Sequence, residues 1–187
     1  MGEEINEEIM NNIHLKSERL NLRPINLSDL EDIHKLHSLP ETDEFNALGI
    51  PENIEQTRTI IENWISENQK DKNQSFTFTI EFQKQFVGLI ALNLGKEKYK
   101  NANVWYKLHL DFWNKGFATE ALKTIINFGF DDLKLHRIEA GCAVENIGSI
   151  HVLEKVGMNL EGRKRQNLPL KNGWSDNFEY AIVSSNL

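Results

Sequence analysis

A chain of 187 residues with 40% hydrophobic and 26% charged side chains, 4 Pro and 11 Gly has the composition of one globular domain, which excludes collagen-like, repeat-built and disordered architectures. Its net charge of −7 argues against nucleic-acid phosphates as the principal partner, and the one basic run, Arg163-Lys164-Arg165, is too short to reverse that. No apolar run approaches the ~20 residues of a bilayer span, the start MGEEINEEIM is acidic where a signal peptide is basic, and the lone Cys142 closes no internal disulfide, so a cytoplasmic protein without membrane contact is expected.

Residues 1–12 carry Glu3, Glu4, Glu7 and Glu8 without Lys or Arg and read as an acidic, flexible tail; residues 13–187 read as a single domain. Alternation through Arg19-Leu20-Asn21-Leu22-Arg23-Pro24 predicts a first strand that stops at proline. Ser28-Asp29-Leu30-Glu31 fits a capping box, in which the Ser and Glu side chains satisfy free amides at the start of a short helix running to about Ser38. Ile54, Thr57, Ile60, Ile61, Trp64 and Ile65 keep a helical rhythm over 53–68. The period then changes to two: Phe76, Phe78, Ile80 and Phe82 alternate with polar residues, Gln83-Lys84-Gln85 makes a tight turn, and Phe86 to Leu94 forms the next strand.

Ala102 to Leu110 predicts another strand, and helical spacing returns from Phe117 through Ala121, Leu122, Ile125 and Gly129 to Leu133. His136 to Val144 reads as a buried strand with Ile138, Ala140 and Cys142 on one face. Asn146 caps a helix whose stripe is Ile147, Ile150, Leu153 and Val156, with Gly157 in the C′ place. Two last strands fall at about 159–168 and 176–184. The succession predicts an α/β (α+β) fold, one mixed and mostly antiparallel sheet of about seven strands flanked by about four helices.

The most informative segment is Leu110-Asp111-Phe112-Trp113-Asn114-Lys115-Gly116-Phe117-Ala118-Thr119-Glu120-Ala121, between a strand and a helix. Unpaired amides at a helix start, with small residues that let a phosphate approach, form a ready anion site. The spacing fits neither a Walker A loop nor a G-x-G-x-x-G dinucleotide turn. His34, His37, His136 and His151 lack ligand spacing, so no metal is expected. Read from the residues alone, Gly116 also suits an ordinary helix start.

Four pieces in order carry a resemblance: Glu18-Arg19-Leu20-Asn21-Leu22-Arg23-Pro24; Phe112-Trp113-Asn114-Lys115-Gly116-Phe117-Ala118-Thr119-Glu120-Ala121-Leu122; Glu145-Asn146-Ile147-Gly148-Ser149 with Leu153-Glu154-Lys155-Val156-Gly157-Met158; and Asn172-Gly173-Trp174-Ser175-Asp176. Over roughly residues 15–184 the chain resembles the GCN5-related N-acetyltransferase (GNAT) family, in the branch of the ribosomal-protein N-terminal acetyltransferases.

The resemblance implies a sheet splayed between the strands ending near Leu110 and Val144, with acetyl-coenzyme A in the gap. It places the pyrophosphate on backbone amides of Asn114, Lys115, Gly116, Phe117, Ala118 and Thr119, and the pantetheine arm along the backbone of Leu108, His109 and Leu110. Where the family loop usually begins with Gln or Arg and then Gly, this chain has Trp113 and Asn114. The implied reaction is direct attack of an amine on the thioester, which needs a neutral amine, a stabilised oxyanion and a proton for the thiolate. Ser149 matches the general-acid position and Asn146 a contact to the cofactor arm. Tyr106, on the cofactor strand, is a second candidate donor to the thiolate or lines the acetyl pocket.

The general base departs from the family pattern, because Asn103 and Leu168 stand where relatives carry glutamates. An α-amine of pKa about 8 is roughly a tenth neutral at pH 7, a cost of about 1.4 kcal/mol, whereas a lysine amine near 10.4 costs about 4.6 kcal/mol. The expected acceptor is therefore the α-amine of a protein or peptide N-terminus. A small-molecule amine such as an antibiotic or polyamine, or a non-catalytic acyl-CoA sensor, are the alternatives. Trp174 and Asp176 are candidate acceptor contacts, and the Trp174 hairpin a candidate homodimer contact. Glu120 is assigned only a helix-dipole role, and Cys142 is expected buried and inert.

Overall fold

The computed structural model describes residues 13–69 and 75–186; the acidic stretch 1–12 lies outside the described residues. An eight-stranded sheet has the order β1-β2-β3-β4-β5-β6-β8-β7. Its strands are β1 (Leu15–Lys16), β2 (Leu20–Pro24), β3 (Ser75–Phe82), β4 (Gln85–Leu94), β5 (Asn101–Leu108), β6 (Arg137–Ala143), β7 (Asn159–Leu170) and β8 (Gly173–Val183). Only β5 and β6 run parallel. The helices among the described residues are α1 (Leu30–Ser38), α2 (Pro40–Asp43), α3 (Ile54–Asn68), α4 (Phe117–Asn127) and α5 (Ile147–Lys155). The mixed sheet is as expected, with β1 and α2 added; both are too short to leave a periodic signature.

Helices cover both faces of the sheet. On one, Phe117, Leu122 and Ile125 of α4 and Leu153 of α5 pack against Leu22, Ile80, Ile90 and Ile138. On the other, Ile33 and Leu36 of α1 and Ile61 of α3 meet Leu89, with the rings of Trp64 and Trp105 beside them in tilted contact at 5.4 Å. Burial of these apolar faces is the main source of stability.

Local boundaries differ from the sequence reading for identifiable reasons. The capping box is formed by Asn26 and Asp29 around the 3₁₀ turn Leu27–Asp29, not by Ser28 and Glu31. Asp29 is held there by Arg23 Nη1 at 2.9 Å and Thr79 Oγ1 at 2.9 Å, contacts from other strands that no local pattern reveals. The helical rhythm expected to reach Leu133 leaves α geometry after Asn127 and continues as a π turn, Phe128–Asp132. The hairpin between β7 and β8 is longer than expected and closes through Lys171 and Asn172.

One junction positions the site. β5 pairs with β6 only at Asn101↔Arg137, Ala102↔Ile138 and Asn103↔Glu139, while β6 goes on pairing with β8 as far as Ala143↔Asn177. From Val104 onward the strands part, and the sheet opens as a wedge. Gly88 lets β4 follow β5 along this stretch: a Cβ there would lie 2.2 Å from the Lys107 carbonyl oxygen.

Candidate active site

β5 ends at Leu108, two residues earlier than expected. His109 N–H bonds back to Val87 O at 2.9 Å. Antiparallel ladders alternate, so the N–H and C=O of Tyr106 and Leu108 point the other way, into the wedge. Leu110 opens a 3₁₀ turn, Leu110–Phe112, capped by His109. The His109 and Leu110 carbonyls accept from Phe112 N at 2.9 Å and Trp113 N at 3.1 Å. The strand-like backbone facing the wedge is thus Tyr106 and Leu108; His109 and Leu110, expected to share that role, are turned into the sheet and the turn. Leu108 O also accepts from Trp113 Nε1 at 2.8 Å, which ties the loop to the strand.

The loop reaches α4 through two left-handed residues, Asn114 (φ 57°) and Gly116 (φ 78°). Gly and Asn adopt this conformation at little cost. Gly116 is the N-cap and no side chain caps the helix. Glu120 N–H, bonded to Gly116 O at 3.0 Å, is the first to reach back one turn. The amides of Phe117, Ala118 and Thr119 therefore have no intrahelical acceptor, and the dipole favours an anion in front of them. Asn114, Lys115 and Gly116 are exposed, Ala118 is half-buried, and Phe117 and Thr119 anchor the turn in the core. This end of the helix fits a diphosphate: open amides, no capping side chain, and no bare carboxylate.

That last condition is met through Arg19. Its Nε donates to Glu120 Oε2 at 2.6 Å and its backbone N–H to Oε1 at 2.8 Å, where Ser17 Oγ also donates at 2.6 Å. Against the upward push of partial burial, hydrogen bonds from Ser17 and Arg19 hold the Glu120 carboxyl below its usual range. Arg19 Nη1 donates to Lys115 O at 3.2 Å, and the guanidinium lies 4.5 Å from the Phe117 ring centre. In the sequence Arg19 stands only as part of the first strand's pattern, and Glu120 only as a first-turn carboxylate suited to the helix dipole. The available signal was an arginine immediately before an alternating strand.

At the wedge, Tyr106 and Ser149 meet, their hydroxyls 2.7 Å apart. Ser149 is set by its cap: Asn146 Oδ1 accepts from Ser149 N at 3.0 Å. Burial raises the Tyr106 phenol above its ordinary value, so it keeps its proton as a donor. Cys142, on β6, lies close to Ser149, and burial pushes its thiol up to about 11, which keeps it protonated. Three polar groups from β5, β6 and α5 thus converge where the strands part.

The other candidates lie elsewhere. Asp176 accepts from Arg163 Nε at 2.6 Å and Gln166 N at 2.8 Å, which braces the β7–β8 hairpin and lowers its pKa. Trp174 is 66% exposed near the hairpin turn. Asn103 pairs with Asn93 and Glu139, and Leu168 with Ser175, and neither side chain titrates. Among the described residues, no group of three or more His, Cys, Asp or Glu is arranged to hold a metal, and no helix is long and apolar enough to cross a membrane.

Comparison with known proteins agrees with this geometry. The acetyltransferase (GNAT) domain model matches residues 19–159. The chain is 29% identical over 174 residues to a Bacillus subtilis (strain 168) protein named uncharacterized N-acetyltransferase YnaD, covering 91% of this chain and 97% of that one. Two solved structures share the fold at lower identity. RimL, a ribosomal L7/L12 alpha-N-protein acetyltransferase in complex with coenzyme A, has a TM-score of 0.84 at 21% identity, covering 91% of this chain and 98% of its own. Spermidine N-acetyltransferase from Vibrio cholerae, in complex with CoA and spermine, has a TM-score of 0.80 at 24% identity, covering 89% and 96%. A domain match over most of the chain, on a sheet that splays beside an open helix N-terminus, identifies the chain as a member of the GNAT family, an acetyl-CoA-dependent N-acetyltransferase.

Proposed function

We propose that this acetyltransferase modifies the α-amine at the N-terminus of a peptide or protein. Acetyl-CoA supplies the activated thioester. Its pyrophosphate is assigned to the loop amides from Asn114 to Thr119, and its pantetheine arm to the wedge edge of Tyr106 and Leu108 beside Asn146. The Tyr106–Ser149 pair meets the departing sulfur: as the nitrogen–carbonyl bond forms and the carbon–sulfur bond breaks, Ser149 hands a proton to the thiolate, Tyr106 restores it through their shared hydrogen bond, and the proton shed by the attacking amine returns to Tyr106.

The observation that carries the choice of acceptor is that the described carboxylates of β6, β8, α5 and the turn between β6 and α5 are each engaged by a donor. Glu139 is bonded to Arg137, Glu145 to Ser175, Glu154 to Tyr180, Asp176 to Arg163 and Glu179 to Asn177. None of these five is an unpartnered carboxylate, so we read the acceptor as supplying its own neutral amine. An α-amine is about a tenth neutral at pH 7, while lysine pays roughly a further 3 kcal/mol. Same-fold neighbours act on both a ribosomal protein and spermidine, so the fold leaves the acceptor open and this titration argument favours the α-amine.

The test is thiol release from acetyl-CoA with paired peptides, one blocked at its N-terminus and one blocked on its lysine. Turnover is expected with the lysine-blocked peptide alone; preference for the N-terminally blocked peptide, or for spermidine, refutes the reading.

A further inference from the structure

Trp113 joins the loop that begins at Asn114 to Leu108, the last residue of β5. Its indole N–H donates to the Leu108 carbonyl at 2.8 Å, yet the residue stays 44% exposed. A tryptophan ordinarily buries its ring and turns the N–H toward a wetter place. Here the arrangement is reversed, with the N–H spent on the backbone of a buried residue and the ring left open. Leu110, just before it in the same turn and also exposed, extends the open apolar surface.

The loop does not depend on the indole bond for its shape. Trp113 N–H closes the 3₁₀ turn on Leu110 O at 3.1 Å, Arg19 Nη1 holds Lys115 O at 3.2 Å, and the rings of Phe112 and Phe117 meet at 5.9 Å. The indole therefore acts chiefly on what it touches, the Leu108 carbonyl. That carbonyl points into the wedge, and the indole takes one of its two lone pairs. Leu108 N–H and the N–H and C=O of Tyr106 are then the edge groups offered to an extended chain.

These features follow one another along the protein as the chemical groups follow one another along coenzyme A: a charged diphosphate, then a branched apolar carbon, then the amides of the arm. Open amides at the start of α4 answer the first, the open indole the second and the edge of β5 the third. We propose that Trp113 is a positioning residue for the acyl donor. Its ring covers the branched carbon beside the diphosphate, and its N–H fixes the Leu108 carbonyl, so that the arm enters the wedge in one register with the thioester at Tyr106 and Ser149. The inference rests on the cofactor placement proposed above and is independent of which amine is the acceptor.

The experiment titrates the full chain calorimetrically with coenzyme A and with 3′-phosphoadenosine 5′-diphosphate, a fragment that ends at the diphosphate the loop amides take. Wild type is expected to hold coenzyme A at least about tenfold more tightly than the fragment. Trp113→Ala, which removes ring and donor, should shrink that advantage about tenfold. Trp113→Phe, which keeps a ring and loses the donor, should shrink it about threefold, and it keeps the test open if Trp113→Ala does not fold. Fragment affinity should stay within about twofold of wild type in both variants. A residue that only stiffened the loop would weaken both ligands alike, and that result overturns the proposal. An advantage present in wild type and undiminished in the variants sinks the role of Trp113 alone. Equal binding of the two ligands by wild type sinks it together with the arm placement on which it rests. The choice of acceptor is decided separately, by the paired peptides.

Discussion

Glu120→Gln isolates the clamp that holds the α4 loop. Glutamine keeps the shape of the side chain but turns an amide NH₂ toward the Arg19 guanidinium, donor against donor. Three hydrogen bonds of 2.6–2.8 Å to the carboxylate are weakened or lost. A charged hydrogen bond is worth about 1.5–3 kcal/mol, but the Arg19 side chain is 40% exposed, so solvent reduces the net loss to about 1–2 kcal/mol. In a chain of this length that lowers Tm by about 2–8 °C. Because Arg19 also holds the Lys115 carbonyl, coenzyme A affinity should fall roughly three- to tenfold. The pH dependence has a definite sign. The folded pKa of Glu120 is lowered, so its stabilisation is complete above the ordinary carboxylate range and is lost as pH falls through the folded value. Melting curves of wild type and variant should differ at about pH 7, and the gap should narrow as pH falls below the ordinary carboxylate range. An equal melting temperature at neutral pH, or a gap that persists unchanged in acid, would refute the clamp.

Two further outcomes follow from the wedge. Ser149→Ala and Tyr106→Phe should each lower kcat about a hundredfold or more while leaving coenzyme A affinity within about twofold, and the double variant should lose little beyond the worse single one, since the pair acts as a unit. Additive losses, measured by steady-state thiol release, would argue for separate roles. Gly88→Ala should destabilise by about 1–3 kcal/mol or prevent folding, because its Cβ meets the Lys107 carbonyl; urea unfolding with an unshifted midpoint would contradict the close approach of β4 to β5.

Much of this protein was legible along the chain because periodicity is a local record of which face is buried. The alternation of Phe76, Phe78 and Ile80 and the three- and four-residue spacing of Ala121, Leu122 and Ile125 mark their elements, and all six side chains are buried. The one buried face that alternation predicts for the strand is corrected to two, because α3 and the segment before α1 cover Thr77 and Thr79 on its other face as well. Asn146 and Gly116 were readable for the same reason, since caps and left-handed turns demand particular residues at particular places. Tertiary structure alone decided the rest. Nothing local to Tyr106 says that a hydroxyl 43 residues away will lie 2.7 Å from it. Nor does Glu120 carry a mark of its partners Ser17 and Arg19, about a hundred residues earlier. Hydrophobic burial writes itself into sequence as a repeat, whereas a polar contact between distant elements depends on register and on where two strands part, and no repeat encodes either.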